Sequence, residues 1–356
     1  MKIINAVLLI MAIAMSCKNA QKGIVNSTST ALIPTIVTDT VFEDSDDPAI
    51  WINPNNANES LVLGTDKHDT NGGIYIFDLK GKIDRSRTKT NMSRVNNIDI
   101  AYGLTTSKGK IDIAVATERG KNTIRIISLP NINFIDNGGI AVFKGEKEKS
   151  PMGIAVYKNP TTQLLYAIVG RKSGPSEGYL FQYLLKENSD GFIIGELIRK
   201  FGKYSGKKEI ESIAVDNELG YVYYSDEQVG IRKYYADPTK GNEELGIFGQ
   251  NEFKEDNEGI SIYKLTENTG YILVSDQSAN KFNIYPREGF KGQPNNHQRI
   301  ASIDVSTDQS DGSDVTSISL PGFSGGLFVA MSTNKTFHYY RWSDIAKKTG
   351  LKIKKN

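Results

Sequence analysis

The chain has 356 residues, with 43 Lys+Arg against 41 Asp+Glu and a formal net charge of +2, too near neutral for a nucleic-acid-binding surface to be the default reading. Hydrophobic content of 38% is enough for a packed core and too high for a disordered chain. With 1 Cys and 3 His, a disulfide framework and a Cys-rich zinc site are both excluded.

The first element is a targeting segment. Lys2 precedes an apolar run from Ile3 to Met15, then Ser16 and Cys17. A basic start, an apolar middle and a small residue before the cut are the layout of a secretory signal. Ala14-Met15-Ser16-Cys17 resembles a bacterial lipobox, without the usual Leu at its start. Residues 1–17 are therefore expected to be a lipoprotein signal that ends at a lipidated Cys17. Export follows, with a lipid anchor on the periplasmic or cell-surface side, or otherwise secretion. Beyond this segment no stretch is long and apolar enough to span a membrane. Asn, Ser, Thr, Lys and Gln dominate the next residues, so 18–33 are read as a flexible tether and 34–356 as a single folded domain.

Within that domain one pattern recurs at a spacing of roughly 50 residues, the length of a four-stranded propeller blade. It is an apolar strand, a polar tip, a turn and a second alternating strand. The first copy is Leu61 to Lys67 followed by Gly73 to Phe77. Copies return at Ile113–Arg119, Tyr166–Lys172, Val222–Glu227, Ile272–Gln277 and Phe328–Ser332, each followed by an alternating strand. A short apolar strand precedes every copy, from Ala49–Ile52 in the first to Val315–Ile318 in the last. The pattern predicts an all-β, six-bladed β-propeller of four-stranded antiparallel blades, each beginning at the axis. Thr35–Phe42 is placed to supply the outer strand of the last blade and close the ring. Ser343 is expected to cap a short terminal helix running on from Asp344.

Equivalent positions of all blades surround the axis, so residue types repeated at one offset converge. Ahead of the inner strands stand Asp46-Asp47, Asn96-Asn97, Met152, Glu211, Asp256 with Glu258, and Asp311 with Asp314. A ring rich in carboxylates repels itself and needs cations, and hard oxygen donors on loops favour Ca²⁺. The tips of the second strands divide by sign. Blades one to three end in Lys67, Arg119 and Lys172, whereas blades four and five end in Asp226-Glu227 and Asp276-Gln277. A mouth cationic on one side and metal-loaded on the other suits a polyanion with several phosphates.

Other signals carry no chemistry. Gly322-Phe323-Ser324-Gly325-Gly326 fits G-x-S-x-G, but Pro321 precedes it and a strand follows, so it is not a nucleophile elbow. His68, His297 and His338 share no ligand spacing, and His338 reads as structural. No Walker A loop, H-E-x-x-H or Rossmann glycine run is present.

Asp46-Asp47-Pro48-Ala49-Ile50-Trp51, Asn96-Asn97-Ile98-Asp99, and Arg119 with Gly120-Lys121-Asn122-Thr123-Ile124 resemble segments of the β-propeller phytases, which depend on calcium. So do Lys172, Tyr179–Tyr183, Asp256-Asn257-Glu258-Gly259 and Gly326–Ala330. The resemblance runs in order from about Phe42 to Ala346. It implies a six-bladed propeller that hydrolyses phytate (myo-inositol hexakisphosphate) with several Ca²⁺ ions. By that resemblance the metal-site residues are Asp47, Glu211, Glu227, Asp256, Glu258 and Asp311, with Gln277 beside them. The phosphate-binding bases are Lys67, Arg119 and Lys172. Two departures stand out: the family's tyrosine ahead of the third inner strand is Met152, and the acidic loop before the last blade is shortened to Thr307–Asp314. Within that loop Asp311 matches the family's site, and Asp308 only loosely.

The reading is a calcium-dependent phytase, expected as a monomer whose substrate is phytate, taken as its calcium complex. Water activated by clustered Ca²⁺ attacks phosphorus directly, with no covalent intermediate. Lys67, Arg119, Lys172 and Glu211 are the residues expected to carry catalysis, and no nucleic-acid partner is expected. Two rivals remain at this point: a calcium-dependent propeller lactonase, which needs no basic tips, and a non-catalytic calcium-stabilised binding module.

Overall fold

The structure, a computed structural model, describes residues 31–355. The predicted signal, Cys17 and the tether up to Thr30 lie outside them. Six antiparallel sheets follow one another along the chain, as the repeat predicts. Blade one comprises Ser45–Trp51, Leu61–Asp66, Gly72–Phe77 and Lys89–Met92. Blade two is Val95–Thr106, Gly109–Glu118, Thr123–Leu129 and Ile140–Ala141, with Asn133–Phe134 as an extra pairing. Blade three is Pro151–Lys158, Leu165–Arg171, Glu177–Glu187 and Ile193–Lys203. Blade four is Ile213–Asp216, Tyr221–Asp226, Gly230–Tyr235 and Gly246–Phe248. Blade five is Asn257–Lys264, Gly270–Asp276, Lys281–Pro286 and Ala301–Asp304.

Blade six contributes Ser313–Thr316, Leu327–Ser332 and Thr336–Arg341, and its fourth strand is Ile36–Val37 from the start of the domain. Ile36 lies opposite Tyr339 and Val37 opposite His338. Only these two of the predicted eight residues form a strand. Thr38 then turns its hydroxyl onto the Phe337 N–H at 2.9 Å and leads the chain away. The chain is pinned earlier than residue 34. The Leu32 N–H donates to the Asp304 carbonyl at 2.8 Å, and the Leu32 carbonyl accepts from Ser306 N–H at 3.0 Å.

Second strands are buried throughout in four of the blades. These are Leu61–Asp66, Leu165–Arg171, Gly270–Asp276 and Leu327–Ser332, which blades cover on both faces. Inner strands interlock sideways. A carboxylate on one takes a backbone N–H of the next: Asp314 from Ile50 at 2.8 Å, Asp47 from Ile98 at 3.0 Å, Asp99 from Val156 at 2.7 Å. They surround an axial cavity of about 590 Å³, to which the six blades contribute Ile50, Ile98, Ile154, Ile213, Ile260 and Val315.

The terminal helix spans Trp342–Thr349 and begins before the expected cap; Ser343 lies inside its first turn, and Arg341 precedes it with no capping side chain. Packing of Trp342 sets this start. Its ring is fully buried and stacks on Tyr263 at 3.7 Å, and its Nε1 donates to the Lys352 carbonyl at 3.0 Å.

Blades four and five share one buried ion pair. Arg287 Nε donates to Asp216 Oδ2 at 2.6 Å, and neither side chain is exposed. Arg287 Nη1 also donates to the Thr266 carbonyl at 2.9 Å. Arg287→Ala leaves Asp216 as an uncompensated buried charge, and the expected loss is about 3–5 kcal/mol. Urea unfolding of the two proteins at one pH measures it.

Candidate active site

The two rings predicted from the repeat exist, and one backbone contact builds both. In each blade the residue after the second strand donates its N–H to a carbonyl just ahead of the inner strand. The pairs are Lys67 to Asp44 (2.8 Å), Arg119 to Arg94 (2.9 Å), Lys172 to Ser150 (2.9 Å), Glu227 to Glu209 (3.3 Å), Gln277 to Asp256 (3.2 Å) and Thr333 to Asp308 (3.2 Å). Two residues beyond the accepting carbonyl lie Asp46, Asn96, Met152, Glu211 and Glu258; in blade six the spacing is three, to Asp311. In blades one, two, three and five the register shifts at this point, between Ser45 and Pro48, Val95 and Ile98, Pro151 and Ile154, and Asn257 and Ile260. Such a bulge re-aims side chains at a sheet end.

In blades one and two the first residue of the bulge faces a basic tip. Lys67 Nζ lies 2.6 Å from Asp46 Oδ1 and 2.8 Å from Asp311 Oδ2. Asn96 Nδ2 donates to Asp46 Oδ2 at 3.1 Å and to Glu211 Oε1 at 3.4 Å, while Arg119 Nε donates to Asn96 Oδ1 at 2.8 Å. Gln277 Nε2 donates to Asp311 Oδ1. Lys172 pairs with Glu209 Oε2 at 3.0 Å and keeps about half its side chain exposed. Thus Lys67, Arg119, Lys172, Glu211, Gln277 and Asp311 all belong to one connected mouth.

Glu227, Asp256 and Glu258 form its acidic side. Carboxylate oxygens of Glu209, Glu211 and Glu227 lie within 4.8 Å of one another, as do those of Glu227, Asp256 and Glu258. Glu227 is common to both groups. Glu227 Oε1 and Glu258 Oε2 are buried with no hydrogen-bond partner among the described residues. Burial, then the Asp46 carboxylate, push Glu211 well above the usual carboxylate range. Burial, then Glu227 and Glu211, do the same to Glu258. Burial outweighs nearby Lys208 and raises Glu227 to about 8. Burial opposes the charge on Lys67, but Asp46 and Asp311 outweigh it and hold its pKa above the ordinary value. Clustered oxygens with unfilled acceptor capacity fit a hard divalent cation, and neither group contains Cys or His.

Asp47 is placed differently. As the second residue of its bulge it faces the axial cavity, where its carboxylate takes the Ile98 N–H, while Asp46 meets Lys67. Asp314 likewise lines that cavity and binds Ile50 N–H. Asp226 and Asp276 do not share the tips' role; they accept from Ser205 N–H at 3.1 Å and Lys254 N–H at 2.9 Å and tie loops down. Asp308 is held by Thr333 Oγ1 at 2.6 Å and Asn280 Nδ2 at 3.3 Å, apart from both carboxylate groups. Met152 is buried and offers its carbonyl to Thr117 Oγ1 at 2.8 Å. Sequence reasoning missed Glu209 and Lys208. The Glu209-Ile210-Glu211 alternation was a readable signal, since residues two apart in extended chain share a side.

The sequence profile of the Phytase family matches residues 1–352. The chain belongs to that family. A curated relative, the 3-phytase of Bacillus subtilis (strain 168), is 27% identical over 333 residues, covering 86% of this chain and 81% of the relative. Among solved structures, a chain of the mitotic checkpoint complex aligns with a TM-score of 0.49 at 10% identity, covering 94% of this chain and 98% of its own. The Dos1 propeller aligns with a TM-score of 0.42 at 10% identity, covering 83% and 67%. At that level neither likeness supports an argument about this chain.

The acidic side makes stability depend on pH when no metal is bound. Glu227 binds its proton more tightly folded, at about 8, than at its ordinary value of 4.5. That contribution is complete below the ordinary value and is lost as pH rises through the folded one. Chelator-treated protein should lose about 5 °C in Tm between about pH 5 and pH 8. Glu227→Gln should flatten that slope in the same thermal scans.

Proposed function

We propose that the protein is a calcium-dependent phytase that hydrolyses phosphomonoesters of phytate. The observation that carries this reading is a single mouth in which three basic tips border two buried carboxylate groups. Family membership and the Bacillus 3-phytase support the substrate. Glu209, Glu211 and Glu227 would hold one cation, and Glu227, Asp256 and Glu258 another. When bound, Ca²⁺ supplies positive charge to phosphate oxygens and lowers the pKa of coordinated water.

The chain's own groups do the positioning. Lys67 is fixed between Asp46 and Asp311, so its ammonium is a point charge at a set place. Arg119 is held through Nε by Asn96, which leaves the far edge of the guanidinium for a phosphate. Lys172 has a long, half-exposed side chain and reaches a second phosphate of the same ring. No nucleophilic Ser or Cys is needed, which agrees with the turn, not an elbow, at Gly322–Gly326. The lactonase reading leaves this basic trio without a role. The anchor at Cys17, export and a monomeric state are part of the same proposal.

The test is phosphate release from phytate by the chain lacking residues 1–17, with calcium and again with chelator. Calcium-dependent release is the expected result; folded protein that binds calcium and releases nothing sinks the catalytic reading in favour of a binding module. Glu211→Ala should lower kcat by about a hundredfold to a thousandfold, the scale of losing a group that stabilises the transition state. Arg119→Ala should cost about tenfold to a hundredfold in kcat/KM. Steady-state kinetics at saturating calcium read both. For the anchor, Cys17→Ala in the full chain should move the protein from the membrane pellet to the soluble exported fraction.

A further inference from the structure

Lys208 is a cation at a place where carboxylates converge. Its Nζ lies 3.1 Å from Glu227 Oε2 and also hydrogen-bonds Asp256 Oδ2. Glu227 and Asp256, with Glu258, form one of the two carboxylate groups able to hold a metal, and Glu227 belongs to the other as well. The ammonium therefore touches two of the three donors of one group and the one donor that both groups share. Glu227 is fully buried, whereas Lys208 keeps 38% of its side chain exposed. The backbone at Lys208 is anchored through its carbonyl, which accepts from Tyr204 Oη. The stem is thus free to swing from a fixed root while the acids stay in place. Gln228, the residue after Glu227, caps the other Asp256 oxygen through Nε2 at 3.0 Å, so Asp256 is held when the lysine leaves.

The structure assigns Lys208 the role of a tethered counter-cation that occupies the Glu227–Asp256–Glu258 group until a divalent ion displaces it. The inference rests on the proposal that these carboxylates bind calcium. Three buried carboxylates within reach of one another repel strongly, and an ammonium at this distance offsets much of that repulsion. A divalent ion and the ammonium cannot use the same lone pairs of Glu227 and Asp256. Calcium entry here must therefore break both lysine contacts and send the ammonium to solvent. The consequence is a weaker, displaceable site that fills only when calcium is abundant, set by one side chain of the chain itself.

The experiment compares wild type with Lys208→Met, which keeps the stem and removes the charge. Isothermal titration with calcium chloride on chelator-stripped protein at neutral pH should show at least one site tightened by about tenfold or more in the variant. The metal-free variant should melt below wild type, and the gap should close at saturating calcium. Lys208→Arg should bind calcium no more tightly than wild type. In wild type, amine-reactive labelling read by peptide mass spectrometry should be slow at Lys208 without calcium and fast with it. Equal calcium affinity in wild type and Lys208→Met overturns the role while leaving calcium binding intact. Weaker binding in Lys208→Met, or labelling at Lys208 unchanged by calcium, also overturns it. Absence of calcium binding in both proteins removes the metal reading and the inference together. If Lys208→Met does not fold, the labelling arm on wild type decides.

Discussion

Closing the ring brings like charges together, and the site depends on that closure. Ile36–Val37 completes the sixth blade only by pairing with Thr336–Arg341, almost the whole length of the domain away. Thr38 locks the joint with its hydroxyl on Phe337 N–H, and Leu32 ties the entry to blade five through Asp304. Once six sheets are held edge to edge around an axis, whatever precedes each inner strand must converge. Lys67 of blade one then sits between Asp46 of its own blade and Asp311 ahead of blade six, although Asp46 and Asp311 are far apart in sequence. Blade four alone supplies Glu209, Glu211 and Glu227, whereas the second carboxylate group and the basic trio each draw on more than one blade.

The convergence sets an electrostatic problem that the chain answers in three ways. At blades one and six a partly buried lysine sits between two acids. At the junction with blade two an amide replaces a carboxylate, since Asn96 donates to both Asp46 and Glu211 and needs no charge to do so. At blades four and five acids outnumber bases, and Glu227 Oε1 and Glu258 Oε2 have no hydrogen-bond partner among the described residues. An unpaired carboxylate oxygen away from water is unfavourable by an amount comparable to several hydrogen bonds, so it either binds a proton or a cation. The raised pKa of Glu227 and the fit to a divalent ion are two expressions of that one imbalance.

Much of this was legible in the sequence because the strands that carry the signal are those buried on both faces. Ile113–Ala116 and Leu327–Ala330 read as continuous apolar runs since neighbouring blades cover both sides. Outer strands such as Gly246–Phe248 and Ala301–Asp304 are short edge strands, and no such run announces them. Tip residues were found because they directly follow a readable strand. Lys208 and Glu209 were missed because they lie in the irregular approach to blade four, after Lys203 and before Ile213, where no periodicity marks which side a residue faces. The helix start shifted for a related reason. Ser343 has the chemistry of a cap, but the burial of Trp342 against Tyr263 outweighs the local preference.

The pair Asp46-Asp47 shows where residue type alone stops short. Two adjacent aspartates are equivalent in composition, and both stand at the predicted offset. The bulge between Ser45 and Pro48 separates them by pointing one to each side of the strand end. Asp46 turns to the mouth and pairs with Lys67, while Asp47 turns to the axial cavity and takes the Ile98 N–H of the next blade. Gly312 of blade six permits this, because a Cβ there would lie 2.3 Å from Asp47 Oδ1. The same sorting holds in blade two, where Asn96 serves the mouth and Asn97 lines the cavity wall. In blades one and two the bulged turn thus sends its first residue to the mouth and its second to the axial cavity. A substitution at Asp47 acts on the geometry of the ring, and a substitution at Asp46 acts on the charge that fixes Lys67.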